Sequence, residues 1–175
     1  MDVTTVDQLE RVFLDRMDHL YRFLRSRTRD VTVAEDLTQQ VFVKALLGHP
    51  SFRGDDDALV SWLFRIARNE SATWLRRRTR ETSWDALAEV GFNPADTGDS
   101  PEATALTAER RRELAAVLAT LSPEQRELLD LRFAADLPLV QIAGILGISA
   151  NATRQRYHRT LRQLKGLIDD PTAFR

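Results

Sequence analysis

Residues 139–159 read LVQIAGILGISANATRQRYHR, and this stretch decides the fold of the C-terminal part of the chain. A short apolar segment, a turn that contains Gly147 and a second amphipathic segment together match a helix-turn-helix. Gly147 can adopt the left-handed conformation that such a turn requires, and Ser149 can cap the second helix. The pattern therefore predicts two helices, with the first residues of the second one projecting outward.

All the charged residues on this predicted second helix are basic. Residues 149–168 contain five basic residues and no acidic residue, a local charge of +5. Arginine attracts phosphates, while arginine, asparagine and glutamine can pair with base edges in the major groove. An ordinary helical hairpin with a solvated face is the alternative, but such a face usually mixes both signs of charge. We predict DNA binding through the outward residues Asn151, Arg154, Gln155, His158, Arg159 and Arg162.

A second basic stretch, WLFRIARNESATWLRRR, occupies residues 62–78. Between residues 61 and 80 there are six arginines and one acid, Glu70, so this block also carries +5. Arginines that alternate with aromatic residues suit single-stranded nucleic acid, because aromatic faces stack on unpaired bases and guanidinium groups hold the backbone. The competing interpretation places Trp62, Phe64 and Trp74 in the core of a helical bundle, and it fits part of the set.

Charge and composition divide the 175-residue chain into three parts. The net charge of −1 conceals an acidic stretch, residues 81–106, which has six acids and no base and lies between the two basic blocks. Its two prolines, two glycines and weak periodicity indicate a linker. We predict an all-α fold of two small helical domains, residues 1–80 and 107–170, joined by this flexible acidic linker.

Helical periodicity supports this division. A capping box of Thr32 and Glu35 predicts the start of the second helix. A third helix is predicted over about residues 58–78, a short one over residues 84–90 of the linker, and another begins at Ser122. The first helix is predicted from an apolar stripe at spacings of three and four, formed by Leu9, Phe13, Met17, Leu20 and Leu24.

The composition excludes several classes of protein. The chain has no cysteine, so disulfides, thiol nucleophiles and cysteine-ligated metals are excluded. Its three histidines are widely separated, which disfavours a histidine metal site. No apolar run approaches the roughly 18–20 residues of a membrane span, and the N-terminus lacks the features of a secretory signal. We expect no cofactor, no metal, no catalytic residue and no membrane insertion.

One further amphipathic segment, VAEDLTQQVFVKAL, spans residues 33–46. Its polar side carries both signs of charge, which on physical grounds alone is typical of a solvated helix face. The polar residues are Glu35, Asp36, Gln39, Gln40 and Lys44.

Taken together, these stretches resemble the extracytoplasmic-function (ECF) group of bacterial RNA polymerase sigma factors over about residues 5–168. AEDLTQQVF resembles the region-two helix that binds polymerase, and SFRGDDDALVSWLFRIARNESATWLRRR resembles the part that melts and reads the minus-ten promoter element. LSPEQRELLDLRF and LPLVQIAGILGISANATRQRYHRTLRQL resemble region four, which reads the minus-thirty-five element. The resemblance implies a cytoplasmic initiation factor that is not an enzyme.

The resemblance also implies three sets of binding residues. The set that would contact the clamp helices of the polymerase β′ subunit comprises Glu35, Asp36, Gln39, Gln40 and Phe42. The minus-ten set comprises Phe52, Arg53, Trp62, Arg65, Arg68, Asn69, Trp74, Arg76, Arg77 and Arg78. The minus-thirty-five set comprises Ser149, Asn151, Arg154, Gln155, Arg156, His158, Arg159 and Arg162. The loop at residues 52–57 would hold a promoter base that has left the stack.

The partners implied by the resemblance are core RNA polymerase, through its β′ clamp helices and β flap, promoter DNA in duplex and single-stranded form, and an anti-sigma factor. The acidic linker is expected to be either a solvated spacer or a mimic of RNA in the polymerase's RNA path. Two other functions remain open from the residues. One is a helix-turn-helix operator-binding regulator with an N-terminal dimerisation or ligand domain, and the other is an RNA-binding adaptor.

Overall fold

The computed structural model describes residues 3–48, 52–82 and 114–169, and every regular element within these ranges is helical. This confirms the predicted all-α fold class. A π-helical turn, Asp130–Ala134, continues the fifth helix directly. The helices are α1 Val3–Thr28, α2 Val31–Gly48, α3 Asp56–Thr82, α4 at residues 114–119, α5 Pro123–Leu129, α6 Leu139–Leu146 and α7 Ala150–Asp169.

Helices α1, α2 and α3 pack against one another and form the first module. At its centre the rings of Phe23 and Phe64 meet edge to face, with centroids 5.7 Å apart and both side chains fully buried. Such an aromatic pair adds about 0.5–1.5 kcal/mol to the stabilisation from burial itself. The predicted stripe of α1 is correct except at Met17, which is 42% exposed, while Val12 and Phe23 are buried instead.

Two helix boundaries differ from the sequence prediction. Helix α2 begins at Val31 rather than Thr32, because the carboxylate of Asp30 accepts the backbone N–H of Val33 at 3.1 Å and thereby supplies the cap. Helix α3 begins at Asp56 and continues to Thr82, two residues into the segment predicted as linker. The predicted short helix at residues 84–90 lies outside the described residues.

Helices α4 to α7, with the π-helical turn, form the second module. The predicted capping box at Ser122 is present, since its hydroxyl accepts the backbone N–H of Gln125 and the Gln125 side chain accepts that of Ser122. Gly147 ends α6 in the left-handed region at φ 70°. The hydroxyl of Ser149 accepts the backbone N–H of Ala152 at 3.1 Å, as predicted for the cap of α7.

The two modules pack directly on each other, which the sequence did not predict. Helix α1 lies against the π-helical turn, and α3 lies against α6. Buried Phe23 and Phe64 of the first module therefore belong to one continuous core with Leu128, Leu131 and Ile142 of the second module. We call this packed arrangement the closed conformation.

We expect Gly147→Ala to lower the free energy of unfolding by about 1–2 kcal/mol, because an alanine at φ 70° is strained. An added Cβ there meets no atom within 4 Å, so the cost comes from the backbone alone. Gly144→Ala is the matched control: it lies within α6, it also meets no atom within 4 Å, and it should stabilise by roughly 0.5–1 kcal/mol. Urea unfolding measures both changes. Equal effects of the two substitutions would contradict the assignment of the turn.

Candidate nucleic-acid interface

The outward face of α7 is a continuous polar surface. Six side chains line one shallow groove along the helix, and all six residues are exposed. They combine guanidinium groups with amide and imidazole groups, so the face offers both phosphate-binding charge and hydrogen-bonding groups for base edges. The six residues are Asn151, Arg154, Gln155, His158, Arg159 and Arg162.

Two residues of the predicted minus-thirty-five set lie apart from this groove. Arg156 lines a different groove, together with Ser122 and Glu124. A hydrogen bond from the Ser122 hydroxyl lowers the pKa of the Glu124 carboxyl, and the charge of Arg156 contributes in the same direction. The Ser149 hydroxyl is engaged in capping α7. The predicted set therefore divides into six residues that line one groove along α7 and two, Ser149 and Arg156, that lie outside it.

The second basic stretch lies on α3. Arg65, Asn69, Arg76 and Arg77 are exposed. The guanidinium of exposed Arg78 lies over the half-buried Trp74 ring, 5.1 Å from its centroid. Of the aromatic residues in this stretch, only Phe64 is fully buried. Trp62 and Trp74 are partly buried and pack against the core, so the core interpretation holds fully for Phe64 and in part for the two tryptophans.

The loop before α3 is held to the first module by its own contacts. The ring of Phe52 packs on Trp62 with centroids 5.3 Å apart, and the side chain of exposed Arg53 donates to the carbonyl of Phe52. Arg11 and Gln8 both donate to Asp56 at 2.8 Å. The hydrogen bond from Arg11 is the main reason that the pKa of the Asp56 carboxyl lies below its usual value. The half-buried Phe52–Trp62 pair and the hydrogen bonds to Asp56 together hold this loop and the start of α3 against the first module.

The polar side of α2 faces solvent. Glu35, Asp36, Gln39 and Gln40 are all exposed. Phe42, the fifth member of the predicted polymerase-binding set, is instead half-buried against Phe13, with ring centroids 4.5 Å apart.

The closed conformation brings together an ionic cluster that the sequence analysis did not anticipate. Glu127 on α5 accepts from Arg68 on α3 through two contacts, 3.1 Å from Nε and 3.2 Å from Nη2. Nη1 of Arg27 on α1 lies 3.1 Å from the same carboxylate. The Arg27 and Glu127 side chains are each only 12% exposed. We call these three residues the Glu127 cluster. Its members come from three helices, and Arg68 and Glu127 are 59 residues apart, so no local sequence signal reveals it.

A second polar contact joins the modules near the start of α3. The side-chain amide of Gln141 on α6 donates to the carboxylate of Asp57 at 2.9 Å. Asp57 belongs to the segment predicted to hold a promoter base. The closed conformation therefore places the second module against two parts of the predicted minus-ten surface, Asp57 and Arg68.

A cavity of about 420 Å³ lies beside the Glu127 cluster between the modules, lined in part by Trp74, Arg126 and Asp130. Burial raises the pKa of the Asp130 carboxyl to about 6, although the charge of Arg27 acts in the opposite direction. Arg29, also in the lining, has a positive φ of 57°. Burial lowers the pKa of its guanidinium, and the nearby charge of Arg126 lowers it further.

Among residues 3–48, 52–82 and 114–169, no group of three or more histidine, aspartate or glutamate side chains is arranged to hold a metal ion. Within the same ranges, no helix is both long and apolar enough to cross a membrane.

The chain matches two protein families. The Sigma-70 region 2 family matches residues 13–81, and the Sigma-70 region 4 family matches residues 117–166. The chain is 30% identical to the RNA polymerase sigma factor YlaC of Bacillus subtilis over 159 residues, which cover 91% of each protein. It is also 30% identical to the ECF RNA polymerase sigma factor SigM of Bacillus subtilis over 166 residues, covering 94% of this chain and 96% of SigM.

Two solved structures have similar folds. One is the sigma factor RpoE in complex with the anti-sigma factor NepR from Bartonella quintana, with a TM-score of 0.67 and 26% identity over 93% of this chain and 97% of RpoE. The other is CnrH in complex with the cytosolic domain of CnrY, with a TM-score of 0.62 and 23% identity over 94% of this chain and 89% of CnrH. The similarity to CnrH concerns the fold alone.

Asp130 gives the folded protein a distinctive pH dependence. Because its carboxyl binds a proton more tightly in the folded state than in the unfolded state, its contribution to stability is present below about pH 4 and is lost as the pH rises through about 6. We expect Asp130→Asn to leave stability nearly unchanged at pH 4 and to raise it by about 1–3 kcal/mol above pH 7. Thermal unfolding of both proteins across this range measures the difference, and a difference independent of pH would contradict the assignment.

Proposed function

The chain belongs to the ECF family of bacterial RNA polymerase sigma factors, and on this basis we propose which of its residues carry each step of promoter recognition. The protein directs promoter-specific transcription initiation by binding core RNA polymerase and promoter DNA. The observation that supports the proposal is the presence of two basic surfaces on two modules, one along α7 and one along α3. An operator-binding regulator accounts for the α7 surface but leaves the α3 surface without a role.

The second module positions the protein on duplex DNA at the minus-thirty-five element. The groove face of α7 enters the major groove, where arginine can form bidentate contacts with guanine and asparagine or glutamine can contact adenine. Arg154 and Arg159 lie on this face. Arg156 lies on another side of α7, so it is expected to contribute charge rather than base readout.

The first module captures the unpaired strand at the minus-ten element. Arg65, Asn69, Arg76 and Arg77 are exposed along α3 and would hold the backbone of the strand. Trp74 is half-buried and offers part of its ring for stacking. Binding to an unpaired base offsets the free energy that melting of the duplex costs. The second module binds the duplex and the first module binds the melted strand of the same promoter. The protein itself catalyses no reaction and supplies sequence specificity to the polymerase.

The exposed side of α2 binds the β′ clamp helices of the polymerase. Its acidic residues, Glu35 and Asp36, and its amides, Gln39 and Gln40, are available at the surface. Phe42 supports this helix from inside, since it packs on Phe13. The β flap would contact the second module, and the protein would act in the cytoplasm, where the polymerase is found.

An anti-sigma factor is the proposed regulator of this protein. The similar structure of RpoE was solved in complex with the anti-sigma factor NepR, and this chain matches RpoE over both modules. The acidic stretch at residues 81–106 lies largely outside the described residues, so its proposed roles as spacer or RNA mimic stay predictions.

We expect Arg154→Ala and Arg159→Ala each to weaken binding to minus-thirty-five duplex by about 1–3 kcal/mol where the arginine contacts guanine in bidentate fashion. Arg156→Ala removes the same charge from another side of α7 and serves as the control, with a smaller loss that is similar for all sequences. Fluorescence anisotropy with cognate and scrambled duplexes measures the losses. An equal loss for all three variants on both duplexes would contradict α7 as the reading helix.

We expect Asp36→Lys to weaken binding to core RNA polymerase by roughly tenfold or more, because it reverses a charge at the proposed interface. Asp18→Lys makes the same change at an exposed position of α1 and should leave binding intact. Co-elution with core polymerase and abortive transcription give the two readouts. If the wild-type chain does not co-elute, the proposed function is wrong. If the wild-type chain co-elutes and Asp36→Lys binds equally well, the assignment of α2 is wrong.

A further inference from the structure

Arg27 has contacts within the first module that are separate from its contact with Glu127. Its Nε donates to the Ser71 hydroxyl at 2.8 Å, and its guanidinium lies 5.6 Å from the centroid of the Phe23 ring. Ser71 is fully buried, and its hydroxyl donates in turn to the carbonyl of Arg68 at 3.0 Å. None of these contacts involves the second module, so the guanidinium is held in place whether or not that module is docked.

Arg27 and Arg68 converge on a single anion. In the closed conformation this anion is the Glu127 carboxylate, which accepts from Nε and Nη2 of Arg68 and lies 3.1 Å from Nη1 of Arg27. Guanidinium groups bind both carboxylate and phosphate oxygens, and here Arg68 offers a fork of two N–H donors while Arg27 adds Nη1. The same pair of arginines can therefore accept a phosphate when Glu127 leaves.

The location of this pair suggests which phosphate it binds. Arg68 lies on α3 next to Asn69 and one turn from Arg65, both exposed on the surface that we assign to the unpaired promoter strand. Arg27 extends that surface onto α1 and was absent from the residues identified by sequence. We propose that Arg27 and Arg68 form a binding site for a backbone phosphate of the promoter strand, and that the Glu127 carboxylate occupies this site in the closed conformation. The identity of the strand rests on the proposed function; the anion site rests on the contacts above.

In the closed conformation the DNA-binding surfaces of the two modules are not equally accessible. The reading face of α7 is exposed in the closed conformation, whereas Arg68 is engaged by Glu127 and Asp57 by Gln141. Duplex DNA can therefore bind α7 while the second module still covers part of the first. The unpaired strand and Glu127 compete for the same two arginines, so binding of the strand favours separation of the modules.

The test uses the full-length chain and a short fluorescein-labelled oligo(dT), whose anisotropy is measured across a KCl series. Glu127→Gln removes the competing charge and should bind the oligonucleotide about fivefold or more tightly. One additional neutralised phosphate should also steepen the slope of log affinity against log salt by about 0.7. Unchanged affinity and slope in Glu127→Gln would overturn the proposal.

A second variant tests Arg27 directly. Arg27→Gln in the Glu127→Gln background should remove a large part of the gain in affinity, because the phosphate loses one of its two guanidinium partners while Arg68 still holds it. If the double variant binds like Glu127→Gln, then the contact between Arg27 and Glu127 serves only to hold the modules together and the proposed phosphate site is wrong.

Asp136→Asn is the matched control for the change in net charge. It removes one carboxylate from the second module, whose partner Arg132 lies 3.7 Å away within that same module. It should leave oligo(dT) binding unchanged, and a gain equal to that of Glu127→Gln would overturn the proposal. Circular dichroism monitors folding, and if Glu127→Gln does not fold, Glu127→Ala, which also removes the carboxylate, replaces it with the same expected direction. Core-polymerase co-elution of the wild-type chain tests the proposed function separately.

Discussion

The carboxylate of Glu127 is shared by two arginines from the other module in a place where water has little access, and the observed arrangement of the chain depends on it. A carboxylate with 12% exposure requires partners, because an unpaired buried charge is costly. Removing one partner of a buried ion pair typically costs about 3–5 kcal/mol, because the other charge is left buried and unpaired. The cluster therefore ties α5 to α1 and α3, beside the packing of α1 on the π-helical turn and of α3 on α6 that makes the core continuous from Phe64 to Ile142.

The packing of the two modules on each other bears on how a sigma factor of this family binds a promoter. An ECF sigma factor must contact duplex DNA with one module and unpaired DNA with the other, while both are attached to one polymerase. Joining two weak binders in one chain raises the effective concentration of each at the promoter. The near-zero net charge keeps non-specific affinity low, since that affinity follows the number of phosphates neutralised. The closed conformation adds an internal competitor on the first module and leaves the reading face of α7 exposed.

Sequence analysis predicted the features that are determined within a few residues. Gly147, the Ser122 capping box and the polar face of α7 all depend on local conformation, and the structure contains each of them. It was wrong about which of two nearby residues caps α2, and it could not foresee contacts between residues distant in sequence. Asp30 rather than Thr32 caps α2, and Arg156 turns toward α5 although it lies within the basic stretch. The Glu127 cluster could not be predicted, because a solvated glutamate and a glutamate that joins two modules have the same local sequence pattern.

On this proposal the modules are closed in the free protein and separate when the promoter strand is bound. The chain has no cysteine, so Asp18→Cys on α1 and Lys165→Cys on α7 provide two unique exposed sites for spin labels. Pulsed electron paramagnetic resonance then measures the distance between the modules. We expect one short distance in the free protein and a longer one in the open complex with polymerase and promoter. The same distance in both states would contradict the account.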